Sequence, residues 1–157
     1  MSFRIRGLEP EPFAPLFALD DEALAAKGMR RMVCDAPRSA PCRVTLEDAE
    51  PGERLLLLAY EHQPAADSPF RASGPIFVRE NAEAAYDRVD EIPPAILARP
   101  TISLRAYDHQ AMMIDAALAP GVEVSQILEN WLARPEVDTV HLHYALRGCY
   151  AARADRI

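Results

Sequence analysis

The fold is decided by residues 101–131, which read TISLRAYDHQAMMIDAALAPGVEVSQILENW. Ile102, Leu104 and Ala106 alternate with polar residues, as in a strand with one buried face. A second apolar run over 112–118 follows a short polar break, so the two runs predict a β-hairpin.

A helix is predicted directly after this hairpin, over residues 122–133. Four apolar residues have the i, i+3, i+4, i+7 spacing of an amphipathic helix: Val124, Ile127, Leu128 and Trp131. The apolar face needs a partner, and the strands before and after the helix provide one. We therefore expect the helix to lie across a sheet, with Trp131 substantially buried.

The rest of the chain predicts short strands and little helix. Strands are expected over 2–7, 29–34, 53–60, 76–78, 139–144 and 149–154, a short helix from Asp20 to Gly28, and one helical turn over 94–98. About eight short strands without long helices between them indicate an α+β protein with a mainly antiparallel, curved sheet. Residues 53–60 are the candidate central strand, since Leu55 to Leu58 are all apolar. Residues 35–51 are predicted as a loop, long enough for a lid, and 81–100 as mostly irregular.

Length and composition limit the functional classes. A chain of 157 residues, half of them hydrophobic, is expected to form one globular domain over 1–157. A net charge of −7 argues against nucleic acid and anionic membrane surfaces as partners. The charged N-terminus lacks the apolar run of a secretory signal, and three cysteines without Cys-x-x-Cys spacing fit a reducing compartment, so we expect a cytoplasmic protein. The sequence is compatible with a homodimer.

Two histidines, His141 and His143, stand two residues apart on a predicted strand. Such residues project from the same face, at a separation that suits two ligands of one metal ion. The simplest interpretation is that both face water, and the alternatives are a metal site or a use in acid–base or anion-binding chemistry. A third ligand would come from elsewhere in the chain: His62, Glu61 or Asp115.

Three further residues end the candidate central strand. Tyr60 and His62 share one face, whereas Glu61 points to the other and cannot form a regular dyad with His62. Strand ends often present site residues to loops, although an ordinary strand entering a solvated loop has the same pattern.

The cysteines offer weaker candidates. Arg43 could lower the pKa of the adjacent Cys42 thiol and activate it. A four-residue turn over 145–148 would place Tyr150 opposite His143 and put Cys149 on the other face, although its use with a histidine stays an alternative. A buried, inert thiol is the ordinary interpretation of both.

Arg71 and Ser73 lie in a loop that could hold an anion or could be an ordinary turn. The chain has no Gly-rich phosphate loop, dinucleotide fingerprint, nucleophile elbow or His-Glu-x-x-His helix. No organic cofactor or confidently assigned metal is therefore expected from the motifs.

Several segments resemble a bacterial family catalogued as domain of unknown function 1203. They are PCR at 41–43, GERLLL at 52–57, YEH at 60–62, SGPIFVR at 73–79, SLRAYD at 103–108, HLH at 141–143 and GCYAAR at 148–153. The resemblance covers nearly the whole chain and implies a single-domain bacterial protein, with no established activity, cofactor or catalytic residues. The matching segments lie near the two ends of the predicted sheet, which makes them candidates for one pocket.

Two hypotheses for function follow. The first is a non-catalytic protein that binds a small molecule or another protein, with a cleft lined by residues such as Arg43, His62, Arg71 and Arg105. The alternative is a hydrolase or transferase that uses His141 and His143 with His62, Tyr60 or Cys42, with or without a divalent metal. In either case we expect His62, Arg71 and at least one of the two strand histidines to line a common concave surface.

Overall fold

A computed structural model describes all 157 residues and contains nine strands and three α-helices. The strands are β1 (Phe3–Arg6), β2 (Arg30–Val33), β3 (Arg54–Gln63), β4 (Ala72–Arg79), β5 (Asp87–Val89), β6 (Ile102–Tyr107), β7 (Met113–Ala119), β8 (Thr139–Tyr144) and β9 (Tyr150–Arg156). The helices are α1 (Asp21–Ala26), α2 (Pro94–Leu97) and α3 (Val124–Leu132). The predicted α+β class is confirmed. None of these helices has the length and apolar character needed to cross a membrane.

The strands are divided between two antiparallel sheets. The larger has the order β5-β1-β9-β8-β6-β7 and the smaller the order β2-β3-β4. The predicted hairpins over 101–118 and 139–154 are both present. The strand expected to be central, now β3, is central only in the smaller sheet. Apolar periodicity identifies strands but does not specify their partners, so it could not separate one sheet from two.

Helix α3 packs on the larger sheet through a stripe that differs slightly from the predicted one. Val124, Leu128 and Leu132 are fully buried in the main core. Trp131 packs against this core and keeps only a minor part of its surface exposed, so its predicted placement on the sheet is confirmed, although the side chain is not fully enclosed. The helix begins tightly against α2, because a Cβ at Gly121 would lie 2.1 Å from the carbonyl oxygen of Ile96.

Helix α1 follows the sequence signals closely. The Asp20 side chain accepts a hydrogen bond from the backbone N–H of Ala23 at 2.8 Å, and Leu24 is fully buried. The chain then leaves the helix at Gly28, whose φ of 72° favours glycine. The predicted cap, inward residue and stop are all confirmed.

Two segments differ from the sequence prediction. Residues 35–51 lack regular strands, as expected, but residues 40–44 in the middle of the segment are buried and do not form a lid, whereas residues 35–39 are exposed. Cys42 and Val44 are fully buried, and Arg43 bonds through its backbone N–H to the carbonyl of Phe77 at 3.0 Å. Within 81–100, β5 pairs with β1, although its three residues are too few to show the alternation of apolar and polar residues that predicts a strand.

The two sheets meet where β4 packs against β9. This packing brings the end of β3 towards one face of β8 and β9. The side chains of Tyr60 and His62 both contact the ring of Tyr150, at centroid distances of 5.8 and 5.4 Å. The contact between the sheets therefore forms the site described next.

Candidate metal centre

Three of the four histidines in the chain meet in one cluster. His141 and His143 come from β8, and His62 comes from the end of β3. One ligand nitrogen from each ring lies within 4.8 Å of the other two. The strand period predicted the first pair, and the contact between the two sheets adds the third ring.

His62 reaches the cluster from an irregular position in its strand. Glu61 lies opposite Ser73 and Gln63 lies opposite Ala72, which leaves His62 as an extra residue in β3. A bulge of this kind redirects a side chain and is common beside functional sites. The nearest imidazole is that of His143, with ring centroids 4.9 Å apart.

The strand histidines do not face water. His141 is 3% exposed and His143 is 1% exposed, so the simplest interpretation of the sequence was wrong. Tyr107 lies 4.8 Å from His141 between ring centroids, and Tyr150 lies 5.8 Å from His143. The predicted pairing of Tyr150 opposite His143 is confirmed, and it places this phenol ring among the histidines.

The rings of this cluster are held in the neutral form. Burial, with the positive charge of neighbouring groups as a smaller cause, lowers the pKa of His141 to about 3. Burial also lowers the pKa of His143 to about 4, although its hydrogen bond to Gly148 offsets part of the effect. The pKa of His62 is lowered mainly by burial and secondarily by Arg105. Neutral imidazole is the form that binds a metal ion.

Each ring also has a buried nitrogen without a hydrogen-bond partner. These atoms are Nδ1 of His62, Nδ1 of His141 and Nε2 of His143. In His143 the other nitrogen, Nδ1, lies 2.9 Å from the carbonyl oxygen of Gly148, so it donates there and leaves Nε2 as the acceptor. A backbone carbonyl commonly orients a metal-binding histidine in this way. Unpaired buried polar atoms are costly, and three in one cluster indicate a ligand.

The donor set suits a zinc-like ion with a free coordination position. Zinc sites with three protein ligands are catalytic, whereas structural sites use four. Zn–N bonds of about 2.1 Å in tetrahedral geometry place the nitrogens about 3.4 Å apart, so the widest pair, at most 4.8 Å apart here, would close by up to about 1.4 Å on binding. Neither a carboxylate nor a thiol belongs to the cluster.

Only one of the three predicted third ligands joins the pair. Glu61 binds the guanidinium of Arg71 at 3.0 Å, and Asp115 binds that of Arg134 at 2.6 Å. His62 takes the third position. The prediction that Glu61 or Asp115 could be the third ligand is therefore wrong, because each carboxylate forms an ion pair with an arginine instead.

Arg105 is the predicted arginine that lies at this cluster. It stands directly opposite His141 in the pairing of β6 with β8, and paired residues share a face. Arg105 forms no salt bridge within the chain, whereas Arg153, opposite His141 on β9, binds Asp155 at 2.6 Å. Of the two arginines beside His141, Arg105 is therefore the one whose charge no carboxylate neutralises.

The remaining predicted residues lie elsewhere. Cys42 is fully buried in the core, in line with the ordinary interpretation of this thiol, and its Sγ accepts from the backbone N–H of Arg79 at 3.4 Å. Arg71 and Ser73 are exposed, and Arg71 is committed to Glu61. Cys149 lines a separate cleft, in agreement with its predicted face. None of the cysteines hydrogen-bonds to a histidine.

Sequence reasoning missed the aromatic walls. Tyr107 ends β6 and contacts both His141 and Phe70, the second at a centroid distance of 6.3 Å. The loop that carries Phe70 is fixed by Ser68, whose hydroxyl donates to the carbonyl of Ala111 at 2.7 Å. The pairing of Tyr150 with His143 was the one sequence signal that could have identified a wall residue.

Comparison with known proteins gives a family and nothing more specific. Searches of the curated proteins and of the solved structures find no match. The model of the family described as "Protein of unknown function (DUF1203)" matches residues 39–156, which include all three histidines and Arg105. The chain therefore belongs to the DUF1203 family.

Proposed function

We propose that this protein binds one divalent transition-metal ion, Zn²⁺ in the first instance, through His62, His141 and His143, and that it hydrolyses a small anionic substrate there. The observation that carries the proposal is the convergence of three largely buried, neutral imidazoles, each with a buried nitrogen that lacks a partner. This is the metal-assisted form of the hydrolase hypothesis.

Acid–base catalysis by the strand histidines is a weaker use of the same residues. A general base works best with a pKa near the working pH. With values of about 3 and 4, His141 and His143 are poor proton carriers near neutrality. The same depressed values keep their lone pairs free for a metal, so the electrostatics favours ligation.

Three protein ligands leave space for water or substrate. A divalent ion held in this way lowers the pKa of bound water and polarises a substrate oxygen. The chain supplies the surroundings: Tyr107 and Tyr150 exclude solvent from two sides, and Gly148 fixes the orientation of His143. Because the three histidine ligands are neutral and no carboxylate joins them, the charge of a bound ion would stay uncompensated, which favours an anionic substrate.

Arg105 supports this substrate class. Its guanidinium has no ion-pair partner in the chain and stands on the face of His141. A planar guanidinium binds a carboxylate or phosphate with two parallel hydrogen bonds. We infer that Arg105 orients the anionic group of the substrate while its reacting bond lies at the histidine cluster.

Metal content tests the proposal. Protein prepared without an affinity tag, loaded with Zn²⁺ and dialysed, should retain about one equivalent per chain by elemental analysis. His62→Ala should lose most of the metal. His109→Ala is the matched control, because His109 is the one histidine outside the cluster and its side chain is 66% exposed. Retention below about 0.1 equivalent by the wild type, or equal retention by His62→Ala, contradicts the proposal.

A further inference from the structure

A second concave region lies on the other side of the turn between β8 and β9. This cleft has a volume of about 650 Å³ and contains none of the three clustered histidines. One wall is apolar and comes from the smaller sheet: Met32, Val33, Leu55 and Phe77. The opposite side consists of residues 144–147 and Cys149.

Arg43 lines this cleft as a buried cation without an anionic partner. The residue is only 2% exposed, and its Nε donates to the carbonyl oxygen of Tyr150 at 2.7 Å. A second bond goes to the carbonyl of Pro41, so both hydrogen bonds reach neutral acceptors. Arg99, which lines the same cleft, instead binds Asp48 through two hydrogen bonds of 2.7 and 2.8 Å. A buried charge is normally paired, and in Arg43 this pairing is missing.

Tyr144 provides an unpaired donor in the same place. Its hydroxyl is buried and has no hydrogen-bond partner. Its ring lies between two guanidinium groups, 5.0 Å from that of Arg43 and 5.1 Å from that of Arg99. An anion bound beside Arg43 would accept from this hydroxyl and compensate the guanidinium charge.

The outer part of the cleft has the same sign of charge. Arg38 and Arg147 line it, and Asp35 is the only carboxylate that does so. This positive lining is unusual in a chain with a net charge of −7. Together, positive charge and an apolar wall complement a molecule with an anionic head and an apolar body.

We propose that this cleft binds a small amphiphilic carboxylate, with its head at Arg43 and Tyr144 and its apolar body along Met32, Val33 and Leu55. The volume lies within the range of about 300 to 1,000 Å³ that is usual for small-molecule sites. The apolar wall selects an amphiphile over a bare inorganic anion. The site is separate from the histidine cluster and its occupancy does not depend on a metal.

Methionine-methyl NMR tests the proposal directly. Met32 lines the cleft, whereas Met113 lies in β7 of the other sheet and serves as an internal control. Octanoate should shift the Met32 signal saturably and leave Met113 in place. Octan-1-ol, the uncharged match, should bind at least about tenfold more weakly, a difference of about 1.4 kcal/mol. Metal-free protein should give the same result.

Two variants separate binding from folding. Arg43→Gln should abolish the preference for octanoate over octan-1-ol. Because Arg43 is buried, Val33→Asp provides a second test at a side chain that is 57% exposed, and it should weaken octanoate binding at least about tenfold through repulsion and loss of apolar contact. Val122→Asp, 72% exposed and outside the cleft, is the matched control and should bind like the wild type.

Any one of five results would overturn the proposal, four from binding measurements and one from the dependence on protein concentration. The first four are equal affinity for octanoate and octan-1-ol, equal affinity for inorganic phosphate and octanoate, no Met32 shift at millimolar octanoate, and unchanged octanoate binding in Val33→Asp. A Met32 shift that depends on protein concentration alone would assign the cleft to a second copy of the chain and would also contradict it.

Discussion

The two faces of β8 are both buried but differ in their roles. All six residues of the strand are buried. Val140 and Leu142 on one face belong to the main core below α3, where they pack against other apolar side chains. His141 and His143 on the other face each have one buried nitrogen without a hydrogen-bond partner in the protein. Burial alone therefore does not distinguish a structural residue from a binding residue, whereas an unpaired buried polar atom does.

The largest expected effect comes from the apolar face. Leu142→Ala leaves a cavity in the main core, so we expect the free energy of unfolding to fall by about 2 to 5 kcal/mol. Urea denaturation of the metal-free protein measures this change. Folded Leu142→Ala should still bind zinc in the wild-type ratio, and a loss of zinc from the folded variant would contradict the division between the two faces.

The opposite result is expected on the histidine face. His141→Leu replaces a buried, unpaired imidazole with an apolar side chain, so the metal-free protein should keep its stability to within about 1 kcal/mol or gain some. Zinc affinity should fall by at least about 100-fold, roughly 2.7 kcal/mol, because one of three ligands is removed. Competition with a chromophoric chelator gives the affinity. A destabilisation as large as that of Leu142→Ala would show that the imidazole is an ordinary core residue.

The pH dependence of stability gives a further contrast. His141 and His143, with pKa values of about 3 and 4 in the folded protein, take up protons near pH 6.5 once unfolded. The unfolded chain therefore binds more protons as the pH falls below 6.5, and the free energy of unfolding should decrease. Between pH 7 and pH 5 we expect a loss of about 2 kcal/mol for each of the two residues.

Denaturation of the metal-free protein at several pH values measures this loss. His141→Leu should show a clearly smaller loss than the wild type. A flat profile between pH 7 and pH 5 would mean that the two rings already titrate normally in the folded protein.

The smallest effect is expected at the margin of the apolar face. Trp131 packs against the main core but is not fully enclosed, so Trp131→Ala should cost about 1 to 2 kcal/mol, less than the roughly 3 to 5 typical of an enclosed aromatic residue. Thermal or urea denaturation measures it. A loss above about 3 kcal/mol would restore Trp131 to the centre of the buried stripe.

The sequence predicted local features well and contacts between elements poorly. The spacing of His141 and His143, the turn that sets Tyr150 opposite His143, and the cap at Asp20 are local, and all are present. The position of the third ring, that of His62, depends on the packing of two sheets and on a bulge in β3. No repeating pattern of apolar residues predicts either feature.

The environment of the histidines was the main error of sequence interpretation. A strand with polar residues on alternate positions normally has one face in water. Here the end of β3 and two tyrosine rings cover that face. For the same reason the burial of Arg43 could not be predicted, because it depends on the packing of residues 40–44 against β4 and β9.

X-ray absorption at the zinc edge of the loaded wild-type protein determines whether all three histidines bind the metal ion. We expect three imidazole nitrogens at about 2.0 to 2.1 Å, at least one further light ligand, and no sulfur. His62→Ala should lower the imidazole count, and His109→Ala should leave it unchanged. A sulfur ligand at about 2.3 Å, or fewer than three imidazoles around a zinc ion in the wild type, would contradict the assignment of this face of β8 as a metal centre.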